Sequence, residues 1–196
     1  TNAFRAIESR GGIPMTRVES HDPTVLARTL DAGAMGVIVP HVSTVEQAQA
    51  IADACRYPPR GQRSSGSGRA TINAEDGARI NEEVLVCPQI EDMEGVNNIE
   101  AIMAVEGIDV AFIGPNDLAL SMGLSKTDAF VNTEHVAAID AILAGAKANG
   151  KPAGTPISDV AKARELVEQG FTLIDFGNDL RMLSGAAGAA LKGMKA

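Results

Sequence analysis

Glu106-Gly107-Ile108-Asp109-Val110-Ala111-Phe112-Ile113-Gly114-Pro115-Asn116-Asp117 runs from a glycine that ends a helix, through a short apolar strand, into a polar turn. The same order recurs at Ala32-Gly33-Ala34-Met35-Gly36-Val37-Ile38-Val39 and at Gln169-Gly170-Phe171-Thr172-Leu173-Ile174-Asp175-Phe176. A helix stops at glycine and a buried strand follows almost at once. Chains that alternate this way build a parallel α/β sheet.

Working outward from these segments, six strands are predicted: Ile13–Val18, Gly36–Val39, Val84–Ile90, Val110–Ile113, Pro152–Thr155 and Thr172–Phe176. Several are apolar throughout, as parallel strands covered on both faces must be. Amphipathic helices fill the intervals. Asp22-Pro23 caps and starts one, with Val25, Leu26, Thr29 and Leu30 on a shared face. Ser43-Thr44-Val45-Glu46 reads as a capping box ahead of Ala48, Ile51 and Cys55. Asn97 to Glu100 repeats the cap pattern before Ile99, Ile102 and Met103. Val136, Ile139 and Leu143 mark a further helix. Ser158 starts the next, faced by Leu166 and Val167, and a last one runs from about Leu180 to Lys192. The stretch from Arg56 to Asn81 is polar and rich in glycine and serine, and reads as a long loop that is either a lid or interface element or a plain flexible connection.

The choice lies between an open doubly wound sheet and a closed barrel. No GxGxxG follows a strand, which disfavours the dinucleotide-binding version. A closed barrel of the (β/α)8 TIM type needs eight units; six are visible, so two would be missing, and both forms stay open on this ground. A single domain over 1–196 is expected, in a chain with neither an initiator Met nor a signal-peptide pattern.

Bulk properties narrow the function. The 196 residues are 45% hydrophobic and 21% charged, with a formal net charge of −8. That sign argues against a nucleic-acid partner, and no apolar run approaches membrane-spanning length. An anionic substrate must be met by a local cation or a metal. Cys55 and Cys87 lie in apolar segments outside any CxxC, which fits reduced thiols and a cytoplasmic setting.

In a barrel of this kind chemistry gathers at the C-terminal ends of the strands. Arg17, His41, Gln89, Glu91, Asn116, Asp117, Thr155, Ser158, Asn178 and Asp179 stand there. Glu91 and Asp117 end neighbouring strands, and two carboxylates with open water positions suit Mg2+ or Mn2+. Gly114-Pro115-Asn116-Asp117 is read as a tight turn whose amides face a carboxylate. Arg17 is placed as a bidentate clamp for a carboxylate or an enolate oxygen. Asp31 is awkward in the last turn of its helix, where the macrodipole disfavours negative charge, and implies a cationic partner elsewhere. No lysine projects from a strand into the mouth, which argues against a Schiff-base aldolase.

Together Leu30-Asp31-Ala32-Gly33-Ala34, Val39-Pro40, Arg56-Tyr57-Pro58-Pro59-Arg60-Gly61-Gln62-Arg63, Pro88-Gln89-Ile90-Glu91 and Phe112-Ile113-Gly114-Pro115-Asn116-Asp117-Leu118-Ala119 resemble the HpcH/HpaI family of metal-dependent pyruvate aldolases and citrate lyase β-like proteins. The resemblance spans essentially the whole chain and implies a (β/α)8 TIM barrel whose first two βα units are absent from the chain. It implies a class II carbon–carbon lyase acting on 2-oxo-4-hydroxy acids through a pyruvate enolate, with Mg2+, Mn2+ or Co2+ as cofactor. It implies Glu91 and Asp117 as metal ligands, and Arg17, Gln89, Gly114, Pro115, Asn116 and Asp117 around the pyruvate unit. Asp31 would orient the catalytic histidine. A trimeric or hexameric homo-oligomer, its last helix exchanged between neighbours, is also implied. The chain departs from the family in one respect: the Asp-x-Glu-His-like motif that carries the base is absent, leaving His21 and His41 as stand-ins. A CoA-thioester lyase, macrophomate-synthase-like enolate chemistry and a non-catalytic barrel subunit stay open as alternatives.

Overall fold

The computed structural model describes residues 2–65 and 77–194. Six strands, β1 (Met15–Arg17), β2 (Gly36–Val39), β3 (Leu85–Ile90), β4 (Ala111–Ile113), β5 (Ala153–Ile157) and β6 (Leu173–Phe176), pair in chain order. Every pairing is parallel. The sheet curls into a half barrel of six strands, the number of units read from the sequence. Each predicted strand is present, with ends moved by up to two residues, which is the usual uncertainty where hydrogen bonding fades. Among the described residues no helix is long and apolar enough to cross a membrane.

The helices are α1 (Asn2–Glu8), α2 (Pro23–Asp31), α3 (Val45–Cys55), α4 (Gly77–Glu83), α5 (Met93–Asn97), α6 (Ile99–Ala104), α7 (Pro115–Ser121), α8 (Thr133–Ala148), α9 (Val160–Gln169) and α10 (Asp179–Met194). A 3-10 turn spans Lys126–Asp128. Asp22 caps α2 as expected, its carboxylate accepting from Thr24 N at 2.7 Å. Three expected caps fall one residue early. The capping box belongs to Thr44 and Gln47, α9 is capped by Asp159, and α6 starts after Asn98, which makes no side-chain cap hydrogen bond. For α3 and α9 an equally competent polar residue lies closer to the first helical turn.

Most of the apolar side chains pack between the sheet and its helices, with Leu26, Leu30, Ile51, Ile102, Met103, Ile142, Leu166 and Phe171 fully buried. Val136 and Val167, expected on buried stripes, are exposed. A second, smaller cluster of Cys87, Val110 and Phe112 packs with Met15, Ile38 and Leu173. Side chains alternate along a strand, so Cys87 and Gln89 share one face of β3, as Met15 and Arg17 share one face of β1. Apolar packing thus lies directly below the polar residues at the mouth. Burial pushes both cysteine thiols up to about 12, so neither supplies a thiolate at neutral pH.

The predicted long loop is more structured than its composition suggests. Tyr57 and Asn81 exchange hydrogen bonds at 2.7 and 3.0 Å, and α4 occupies its last part. The glycine- and serine-rich portion read as a lid lies largely at 66–76, outside the described residues. The buried guanidinium of Arg56 donates to Val84 O, Gly107 O and Asp109 Oδ2. Asp109 also accepts from Val86 N at 2.7 Å, which ties the starts of β3 and β4 together.

Candidate functional site

At the opposite end of the sheet, the side chains of three neighbouring segments link up. Arg17 Nε, from the end of β1, donates to Gln89 Oε1 at 3.2 Å. Gln89 Nε2 donates to Glu91 Oε2 at 2.5 Å. The other carboxylate oxygen of Glu91 accepts from the backbone N–H of His41 at 2.8 Å, and His41 Nδ1 stands 3.1 Å away. His41 follows β2 with a φ of 52°. That left-handed backbone turns the chain so that its N–H and its ring both face Glu91.

Register explains the position of Gly114. Ile90 pairs with Ile113, so the next residues, Glu91 and Gly114, are level, and Gly114 N donates to Ile90 O at 3.0 Å. A Cβ on residue 114 would lie 2.4 Å from Glu91 Oε2 and 2.6 Å from Gln89 Nε2. Only glycine fits against this pair of side chains. The Gly114-Pro115-Asn116-Asp117 stretch, read from the sequence as a turn, opens α7, with Pro115 at its first position and Asp117 in its first turn. Asn116 and Asp117 are exposed beside the buried Glu91.

The Glu91 side chain is 0% exposed. Burial raises its pKa above the usual carboxylate range, and the negative charge of Asp117 raises it further. The His41 backbone hydrogen bond and the charges of His41 and Arg17 act in the opposite sense. A buried, partly compensated carboxylate therefore feels repulsion from an exposed one, an arrangement that a hard cation relieves. The donor set of two carboxylate oxygens fits Mg2+ or Mn2+ with its other positions left to water or substrate. Among the described residues no group of three or more His, Cys, Asp or Glu side chains forms a fuller cage.

The fold thus brings Arg17, Gln89, Glu91, Gly114, Pro115, Asn116 and Asp117 to one mouth. Asp31 is not among them. It ends α2, which runs back toward the start of β2, and it pairs with Arg63 at 2.7 Å. The Arg63 guanidinium is fully buried and lies 4.6 Å from the centre of the Tyr57 ring. This cation answers the awkward charge at the helix terminus, as the sequence implied. His21 Nε2 contacts Pro40 O, while His41 reaches Glu91. The sequence signalled His41 only through its place just after a strand; its backbone conformation was not legible. Ser158 and Asn178 line a neighbouring groove of about 590 Å³ with Pro115, Asn116, Lys126 and Arg181. Thr155 is buried within β5, and its hydroxyl has no hydrogen-bond partner.

The family model described as HpcH/HpaI aldolase/citrate lyase matches residues 2–186. The chain belongs to the HpcH/HpaI aldolase/citrate lyase family. It is 40% identical to a hydroxypyruvate/pyruvate aldolase of Rhizorhabdus wittichii, over 93% of this chain and 73% of that one. It is 35% identical to a 5-keto-4-deoxy-D-glucarate aldolase of Shigella boydii, over 92% and 71% respectively. A crystal structure of a family member from Burkholderia cenocepacia J2315 superposes with a TM-score of 0.90 at 31% identity, covering 98% of this chain and 78% of that one.

Gly114→Ala is expected to force Glu91 and Gln89 apart and to lower stability by about 1–3 kcal/mol, the usual cost of overpacking. Denaturant unfolding measures this. An unchanged midpoint would mean that Gly114 is not pressed against the carboxylate.

Proposed function

We propose that this family member is a divalent-metal-dependent carbon–carbon lyase that cleaves or forms 2-oxo-4-hydroxy acids. The observation that carries this reading is the buried Glu91 carboxylate, which feels the charge of Asp117 and is linked through Gln89 to Arg17. Glu91 and Asp117 would hold Mg2+, Mn2+ or Co2+. When bound, the ion supplies Lewis acidity toward the oxygens of a 2-oxo acid.

The protein's own groups have separate tasks in the cleavage direction. A base takes the proton of the 4-hydroxyl, the C3–C4 bond breaks, and C4 becomes an aldehyde carbonyl. The electron pair of the broken bond passes to the pyruvate fragment as an enolate, which is then protonated at C3. Arg17 places positive charge where negative charge grows on the enolate oxygen. The backbone around Asn116 and Asp117 orients the substrate carboxylate, and Gln89 keeps Arg17 and Glu91 in register. His41, its side chain 67% exposed at the mouth, is the histidine positioned to exchange a proton there. The groove containing Ser158 and Asn178 leaves room for the aldehyde portion. The names of the Rhizorhabdus and Shigella relatives, both keto-acid aldolases, support the same substrate class.

The reading extends to self-association. Leu180, Met182, Leu183, Leu191 and Met194 of α10 are 57–83% exposed, and the helix has no buried residue. A second copy of this chain is the proposed cover, as the resemblance to an exchanged terminal helix implies. Sedimentation is expected to give a trimer or a hexamer, and a monomer at micromolar concentration would contradict this.

Retro-aldol turnover of 4-hydroxy-2-oxo acids tests the chemistry. The purified protein is expected to release pyruvate with Mg2+, Mn2+ or Co2+ and to lose that activity in EDTA. Turnover that survives complete chelation would overturn the proposed mechanism.

A further inference from the structure

His135 lies in the first turn of α8 and is 0% exposed, the most deeply buried of the chain's histidines. Both ring nitrogens are engaged. Nδ1 is 3.1 Å from the backbone N of Phe130, and Nε2 is 2.8 Å from the carbonyl oxygen of Pro115. A backbone N–H can only donate, so Nδ1 must be the bare, accepting nitrogen. The ring proton therefore sits on Nε2 and is donated to Pro115 O. One neutral imidazole in a fixed tautomer thus ties the loop before α8 to the first turn of α7.

The surroundings hold the ring in place. Asn132 caps α8 and accepts from the backbone N–H groups of Glu134 and His135. Phe130 adopts a φ of 63°, uncommon for an aromatic residue, and its ring meets His135 edge-on at 6.0 Å. This left-handed turn at Phe130 accompanies the hydrogen bond from its N–H to Nδ1. On the other side, Pro115 lies between Gly114, which abuts Glu91, and Asn116 and Asp117, which stand at the mouth. No other side chain among the described residues is hydrogen-bonded to the Pro115 carbonyl.

We infer that His135 is a positioning residue for the candidate site: its Nε2–H fixes the first turn of α7 and thereby sets Asp117 against Glu91. The inference rests on the proposed reading of Asp117 as a metal ligand. Groups that orient a ligand without touching the ion commonly govern affinity by about 10- to 100-fold. A histidine that merely fills the core would affect folding and leave that affinity alone.

The two nitrogens can be separated by substitution. In His135→Gln the amide nitrogen reaches the place of Nε2 and keeps the bond to Pro115 O. In His135→Asn the amide oxygen takes the place of Nδ1 and keeps only the bond from Phe130 N. Mn2+ binding to the purified protein is measured alongside denaturant stability for both. The expected result is comparable destabilisation, with affinity weakened at least about 10-fold in His135→Asn and within about 3-fold of wild type in His135→Gln. Equal Mn2+ affinity in the two variants would overturn the inference. Wild-type protein that binds no Mn2+ would instead overturn the reading of Asp117, and the inference with it. A readout that needs no variant is the 15N–1H spectrum of wild-type protein labelled at histidine. The His135 Nε2–H signal is expected to shift on saturation with Mg2+, and a signal that stays fixed while Mg2+ binds would contradict the positioning role.

Discussion

A carboxylate withdrawn from water must be met by donors and by positive charge, and Glu91 sets that demand at the end of β3. Its desolvation opposes ionisation, and effective penalties for an isolated buried charge run to several kcal/mol. The His41 N–H and the Gln89 amide satisfy its two oxygens, with Arg17 one step behind. Asp117 works against this balance by adding a second negative charge nearby. The arrangement is costly for a purely structural site and well suited to holding a divalent cation, which is why the proposed chemistry starts here. Gly114 completes the constraint, because the close approach of α7 to this carboxylate leaves no room for a side chain.

The two ends of the sheet carry different burdens. At the starts of the strands, buried arginines form braces: Arg56 joins β3, β4 and the chain before them, and Arg63 neutralises Asp31 beneath Tyr57. At the strand ends the charges are less evenly compensated, with Glu91 buried and Asp117 open to solvent. Between the two ends lies the apolar layer of Met15, Ile38, Cys87, Phe112 and Leu173. It gives the residues above it a rigid floor, so that short side-chain links such as Arg17 to Gln89 keep their register.

The fold was legible because its signals are local. Apolar strands after a helix-ending glycine gave the parallel order, and the six predicted strands match the six observed. Cap positions slipped where adjacent polar residues compete, as with Ser43 and Thr44 or Ser158 and Asp159. The curl of the sheet was not legible in any single segment, because curvature is a property of the assembled strands; the family resemblance supplied it. Strand-end positions led to residues that lie together in the fold: Arg17, Gln89, Glu91 and the Gly114–Asp117 stretch converge on the candidate site. Asp31 shows the limit of such reading. Its charge at a helix terminus did announce a cation, but Arg63 and the opposite end of the sheet became visible only in three dimensions. His135 was hidden for a similar reason, since a tertiary contact, not spacing, gives it its place, and His41 was read only from its position after a strand, not from its backbone conformation.

The central claim is that Glu91 and Asp117 jointly hold one divalent ion. Titration calorimetry of Mn2+ into wild-type protein, Glu91→Gln and Asp117→Asn tests it most directly. The account predicts one ion per chain in the wild type and a loss of affinity of at least about 10-fold in each single variant, in line with removal of a direct ligand. Wild-type affinity retained by either variant would contradict it.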